Sequence, residues 1–148
     1  MTAFNHITIL VEDIERSKKF YEETLGLKTT FELDISGEQF SKVTGNNDVM
    51  IRFAALKPPS SPFIVELAQF INPRKKISNN DFRHFAFEVD DVDTIYKKLK
   101  KMGVEMVSEP VTISDCHPKV DGKRFFYFRD PDKNLVELFN KRDHLYSS

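Results

Sequence analysis

Apolar and polar positions alternate along residues 4–11: Ile7, Ile9 and Val11 hold one parity, Phe4, His6, Thr8 and Leu10 the other. A period of two puts these sets on opposite faces of a strand. The period then lengthens. Ile14, Phe20, Tyr21 and Leu25 fall roughly on one face of a helix that Asp13 caps, that runs to about Thr24 and that Gly26 ends. Strand-like runs follow at residues 27–34, 49–56 and 63–70. The pattern then restarts. Residues 83–89 read as a strand, Asp91 caps a helix with Val92, Ile95, Leu99 and Met102 on one face and Gly103 beyond its end, and strands are predicted at 104–108, 124–129 and 135–139. Residues 34–48, 57–62 and 112–123 read as loops.

The restart is a repeat. Asn5-His6-Ile7-Thr8-Ile9-Leu10-Val11-Glu12-Asp13-Ile14 is echoed by Arg83-His84-Phe85-Ala86-Phe87-Glu88-Val89-Asp90-Asp91-Val92, and Ile64-Val65-Glu66-Leu67 by Leu135-Val136-Glu137-Leu138. The expectation is one α+β domain over residues 1–148, made of two βαβββ modules (about 4–71 and 83–141) joined by a linker at about 72–82. Each module opens with a His and closes with a Glu.

Composition bounds what such a domain does. At 148 residues, 40% hydrophobic and 30% charged, the chain has the balance of one globular domain. A chain of this size buries about 68–70% of its unfolded surface, so it needs neither metal nor disulfide merely to hold a core. With 22 Lys+Arg against 23 Asp+Glu there is no charge excess with which to bind nucleic acid. No apolar run approaches the ~18 residues of a membrane span. The single cysteine, Cys116, and an N-terminus without a basic stretch before its short apolar run make a reducing, cytoplasmic location the expectation.

Strand parity places His6 opposite Ile7, Ile9 and Val11, and His84 opposite Phe85, Phe87 and Val89. Glu66 and Glu137 lie opposite their own Val and Leu neighbours. Each apolar set fits the face that the module's helix covers, so His6, Glu66, His84 and Glu137 are expected together on the other face, where a curved mixed sheet forms a shared cleft. Taken singly, each reads as an ordinary strand His bonded to a carbonyl or a Glu facing solvent. Their matched placement in both halves instead points to a divalent metal, because two carboxylates approach only when a cation or shared proton relieves their repulsion. Imidazole with carboxylate suits Ni, Co, Zn, Mn or Fe(II), with positions left for water or substrate oxygens.

These residues resemble the vicinal oxygen chelate superfamily, which includes glyoxalase I, methylmalonyl-CoA epimerase, fosfomycin and bleomycin resistance proteins and extradiol dioxygenases. The resemblance spans about residues 4–141. It rests on His6 with Val11-Glu12-Asp13-Ile14-Glu15-Arg16-Ser17, Phe20-Tyr21 and Leu25-Gly26-Leu27. It continues through Val65-Glu66-Leu67, through His84 with Phe87-Glu88-Val89-Asp90-Asp91, and through Asp130-Pro131-Asp132-Lys133-Asn134 with Val136-Glu137-Leu138. It implies paired βαβββ modules and the metal positions His6, Glu66, His84 and Glu137. Lys133 departs from the pattern, standing where the family often has Gly.

The resemblance implies a metal-dependent lyase or isomerase of the glyoxalase I-like class, which chelates two adjacent substrate oxygens and stabilises an enolate or enediolate. Glu66 or Glu137 is then the catalytic base. Leu10 and Phe70 stand where glutathione-using members carry Arg and Asn, which argues against glutathione. Phe4, Leu10 and Phe70 predict a cleft apolar beyond the metal, and Arg52, if it faces that cleft, a clamp for an anionic substrate. The partners implied are a small molecule and a second copy of the chain as a homodimer. The alternatives are a metal-free ligand-binding protein of the bleomycin-resistance kind, with one parity of residues 125–128 lining its cleft, and an extradiol-type dioxygenase, which a fourth ligand at Glu66 would crowd. Cys116-His117 reads as an incidental loop pair, Lys97, Lys98, Lys100 and Lys101 as a solvated helix face, and Arg74-Lys75-Lys76 as solvated linker.

Overall fold

A computed structural model describes residues 3–78 and 82–141. The chain divides into two compact units, residues 1–78 and 79–148. Part of the predicted linker, residues 79–81, and His144 lie outside the described residues.

In the first unit, β1 (His6–Leu10), β2 (Lys28–Ile35), β3 (Met50–Lys57) and β4 (Ile64–Asn72) form a sheet in the order β1-β4-β3-β2. β1 and β4 are parallel, because the chain crosses over between them; β2, β3 and β4 are successive antiparallel neighbours. Helix α1 (Ile14–Leu25) begins where the Asp13 carboxylate accepts the Arg16 amide at 3.0 Å. It ends where Gly26 turns left-handed at φ 68° and the amides of Gly26 and Leu27 bond the carbonyls of Glu22 and Tyr21. Gln69 of β4 accepts the otherwise unpaired amide of Ile14 at 2.9 Å, which ties the start of α1 to the sheet. The helix buries Ile14, Ser17, Tyr21 and Thr24, and the unit's core takes in Val11, Leu27, Ala54, Leu56, Val65 and Leu67. Each large apolar side chain so buried contributes about 1.5–3 kcal/mol.

In the second unit, β5 (His84–Val89), α3 (Val92–Lys101), β6 (Glu105–Met106), β7 (Val111–Thr112), β8 (Arg124–Arg129) and β9 (Leu135–Asn140) repeat the plan. Their sheet runs β5-β9-β8-β6, with β7 also on β8, and β5 and β9 are parallel. Asp91 caps α3 by accepting the Thr94 amide at 3.1 Å and the Thr94 hydroxyl at 2.7 Å. Those bonds hold its carboxyl below the usual range. Val92, Leu99, Phe126, Phe128, Val136 and Leu138 are buried on the helix side, with Tyr96 edge-on to Phe126 at 5.2 Å.

Two local expectations differ from the structure. The predicted loop at 34–48 holds a helix, α2 (Glu38–Thr44), whose Phe40 packs edge-on against Phe53 at 6.2 Å. The predicted strand at 104–108 shrinks to β6, and β7 forms within or beside the adjoining loop. Among the described residues no helix is long and apolar enough to cross a membrane.

The β8–β9 turn keeps a glycine-like conformation without glycine. Asp130 accepts the amides of Asp132 at 2.9 Å and Asn134 at 2.8 Å, and Lys133 is held at φ 66°. Lys133→Gly is expected to raise the unfolding free energy by about 0.5–1 kcal/mol in a urea titration, by relieving the left-handed backbone. A fall of that size would mean that the exposed Lys133–Glu105 ion pair outweighs the relief.

Candidate metal centre

The parallel pairing sets one His beside one Glu in each unit by the same rule. In the first, Thr8 is the register partner of Glu66; in the second, Ala86 is that of Glu137. Each Glu therefore stands two residues along from its His, on the neighbouring strand and on the same face. That is the face away from α1 or α3.

In the first unit His6 Nε2 lies 3.9 Å from Glu66 Oε1, and the Thr8 hydroxyl donates to the same oxygen at 2.8 Å. In the second, His84 Nε2 lies 3.2 Å from Glu137 Oε2. His6 Nδ1 is 2.7 Å from Asn5 Oδ1, and His84 Nδ1 is 2.8 Å from the Phe82 carbonyl. Those oxygens only accept, so Nδ1 carries the proton in both rings and Nε2 is the atom turned to the carboxylate. A lone pair there repels an anion unless a proton or metal cation sits between them. The donor set of each pair therefore fits half of a metal shell.

The environments of the two pairs differ. The Glu66 side chain is 22% exposed and the Glu137 side chain 4%. Rings of Phe82 and Tyr127 flank His84 at 4.8 and 5.2 Å. Lys123, its side chain 7% exposed, ion-pairs with Glu137 Oε1 and places Nζ 4.8 Å from the Phe125 ring centre and 4.9 Å from that of Phe139.

Within each unit the expected ligands stand as one His–Glu pair, and among the described residues no group of three or more His, Cys, Asp or Glu is placed to hold an ion. Within its own unit, Glu66 meets Thr8 and His6, and Glu137 meets His84 and Lys123.

Of the other candidates, Leu10 and Phe70 share the His6 face by parity and register. Phe70 packs, with Phe40 of α2 and Phe53, on the buried cluster of Val49, Ile51 and Ala68, and Lys75 Nζ sits 4.1 Å from its ring centre. Phe4 is exposed and meets Phe63 edge-on at 5.4 Å. Arg52 is not brought to this face. It shares the parity of Ala54 and Leu56, on the α1 side, and its Nε and Nη2 donate to the two Asp34 carboxylate oxygens at 2.8 and 3.0 Å. Its proposed role as an anion clamp beside His6 and Glu66 is withdrawn. Cys116 is exposed, and its amide and that of His117 donate to Asp121. A groove of about 930 Å³ along α2, lined by Ser36, Glu38, Lys42 and Asn72 among others, contains none of the candidate residues.

Thr8, Lys123 and Tyr127 belong to the site faces and were not singled out from the sequence. For Lys123 the signal was available: the alternation of Phe125 and Tyr127, extended back by two residues, puts it on their face.

This fold defines a protein built from two βαβββ modules, each with a His and a Glu side by side on its open sheet face. The model of the Glyoxalase/Bleomycin resistance protein/Dioxygenase superfamily matches residues 3–138, and the chain belongs to that superfamily. It is 27% identical to a lactoylglutathione lyase of Arabidopsis thaliana over 93% of this chain, although it spans only 44% of that protein's length. A glyoxalase family protein from Bacillus cereus superposes with a TM-score of 0.79 at 23% identity, covering 95% of this chain and 94% of that one. A fosfomycin resistance protein from Listeria monocytogenes, solved with Mn(II) and sulfate, gives a TM-score of 0.62 at 19% identity, covering 97% of this chain and 95% of that one. The last two likenesses bear on the fold alone.

Arg124 anchors the start of β8, next to Lys123. Its guanidinium bonds Asp93 at 2.8 and 2.6 Å and the Thr112 hydroxyl at 3.0 Å. The Arg124 hydrogen bond holds the Asp93 carboxyl below its usual range. A carboxyl with a lowered folded pKa stabilises above its unfolded value and loses that contribution as pH falls through the folded one. Asp93→Asn is therefore expected to lower stability at pH 7 and to flatten its decline below about pH 4. An unchanged acid limb in urea titrations across pH would contradict this.

Proposed function

We propose that this protein is a divalent-metal-dependent lyase or isomerase acting on a small oxygen-bearing substrate, with His6, Glu66, His84 and Glu137 as the metal ligands. The observation that carries the reading is the repeated geometry in which a His protonated at Nδ1 turns Nε2 to a carboxylate on the parallel neighbouring strand. The metal reported with the fosfomycin resistance protein and the activity named for the Arabidopsis relative are consistent with it. Ni, Co, Zn, Mn or Fe(II) would suit the donors.

A metal bound there would supply Lewis acidity toward two adjacent substrate oxygens. The remaining work falls to the chain. Glu66 is the better placed base: it is the less buried carboxylate, and its Oε1 is steadied by a neutral hydroxyl from Thr8. It takes a proton from substrate carbon and returns it, while Glu137, enclosed with Lys123 and His84, keeps its position. Leu10, Phe70 and Phe53 give the first unit's face an apolar surface in place of the polar side chains that glutathione carboxylates would need.

A metal-free ligand-binding protein is the second reading, and the Lys123–Glu137 ion pair favours it, since that carboxylate is already neutralised. Metal analysis of purified protein separates the two. The catalytic reading expects about one divalent metal per site in the wild type and its loss in His6→Ala. Glu66→Gln should lower turnover by at least about 100-fold, as loss of a general base does. A wild type that turns over substrate after complete metal removal would sink the catalytic scheme.

A further inference from the structure

Lys123 places a buried positive charge beside a carboxylate assigned to a cation, and this cost calls for a return. Register shows that the fold does not require it. Phe125 faces Phe139 and Tyr127 faces Glu137, while in the first unit Phe53 faces Ala68 and Ala55 faces Glu66. By that correspondence Lys123 matches Ile51, which is buried in an apolar cluster. An aliphatic side chain serves the first unit at the place where the second keeps an ammonium.

The lysine is also fixed. Its amide donates to the Val120 carbonyl at 2.9 Å and its carbonyl accepts from Ile113 at 3.0 Å, so the backbone is pinned at the base of the loop. The rings of Phe125 and Phe139 hold the ammonium against Glu137. Glu137 and Lys123 cancel one another. The other charged residues that register puts on that sheet face are Glu88, Glu105 and Arg129; Glu88 and Arg129 are of opposite sign, and Glu105 is ion-paired with Lys133. A divalent cation at Glu137 and His84 would leave the face with excess positive charge next to a desolvated ammonium. A neutral substrate leaves that excess unanswered, whereas an anionic one offsets it.

We propose that Lys123 is the substrate-anion residue of this site, and that the substrate class is a small 2-hydroxy or 2-oxo carboxylate, whose neighbouring oxygens reach the metal while its negative charge pairs with Lys123. The proposal rests on the metal-dependent reading above. It makes metal and carboxylate bind cooperatively, because each offsets the charge that opposes the other, and linkage makes the coupling reciprocal.

The test is calorimetric titration of metal-free protein with Mn(II), with and without saturating glycolate, for wild type, Lys123→Met and Lys123→Arg, with circular dichroism confirming that each folds. Glycolate should tighten Mn(II) binding to the wild type at least about tenfold, a coupling of ordinary size. Lys123→Arg should keep most of that coupling. Lys123→Met should bind Mn(II) alone at least as tightly as the wild type, since the competing ammonium is gone, and respond to glycolate less than about twofold. Lys123→Gln carries the same expectation and serves if the Met variant does not fold. Mn(II) binding with equal glycolate responses in wild type and Lys123→Met, or with no response in the wild type, overturns the role of Lys123 and leaves the metal reading standing. No Mn(II) binding by any variant overturns the metal reading, and this inference with it.

Discussion

A carboxylate set beside an imidazole nitrogen in a sheet face must be answered by positive charge, and much of the chemistry of this protein follows from that constraint. Parallel pairing of β1 with β4 and of β5 with β9 creates the juxtaposition twice. The helix of each unit covers the opposite face, which leaves the His and Glu on the side that a ligand can reach. The bonds at Nδ1 then decide which ring nitrogen is presented. Tertiary pairing, helix packing and tautomer thus act in sequence, and the outcome is a pair of metal-type donors in each unit.

The halves have diverged around this shared geometry. The first has a more open pair steadied by the Thr8 hydroxyl, and it carries α2, whose Phe40 joins the apolar cluster beside the site face. The second has a buried pair enclosed by aromatic rings and a lysine. In the proposed reaction this division lets one carboxylate move a proton while the other holds still.

Much of this was legible in the sequence because strand alternation is clean where one face is apolar and the other is not. His6 against Ile7 and Ile9, and Glu137 against Val136 and Leu138, assign faces without ambiguity. Alternation failed at β3, where Ile51, Phe53, Ala54, Ala55 and Leu56 make both faces apolar; only the pairing with β4 reveals that Arg52 lies on the α1 side. Helix α2 was hidden because seven mostly polar residues carry little periodic signal, and its packing depends on Phe40 meeting Phe53. Lys123 sits at the seam of loop and strand, one residue before β8, where alternation carries a weaker signal.

The central claim is that His6 and His84 both turn Nε2 to a metal, and nitrogen-15 spectra of the histidine side chains during titration with Co(II) test it most directly. The account predicts that the Nε2 resonances of His6 and His84 shift or broaden together at the same low equivalence, while His117 in its loop is unaffected. Saturation with Co(II) that left both rings unperturbed, or that perturbed only one, would contradict it.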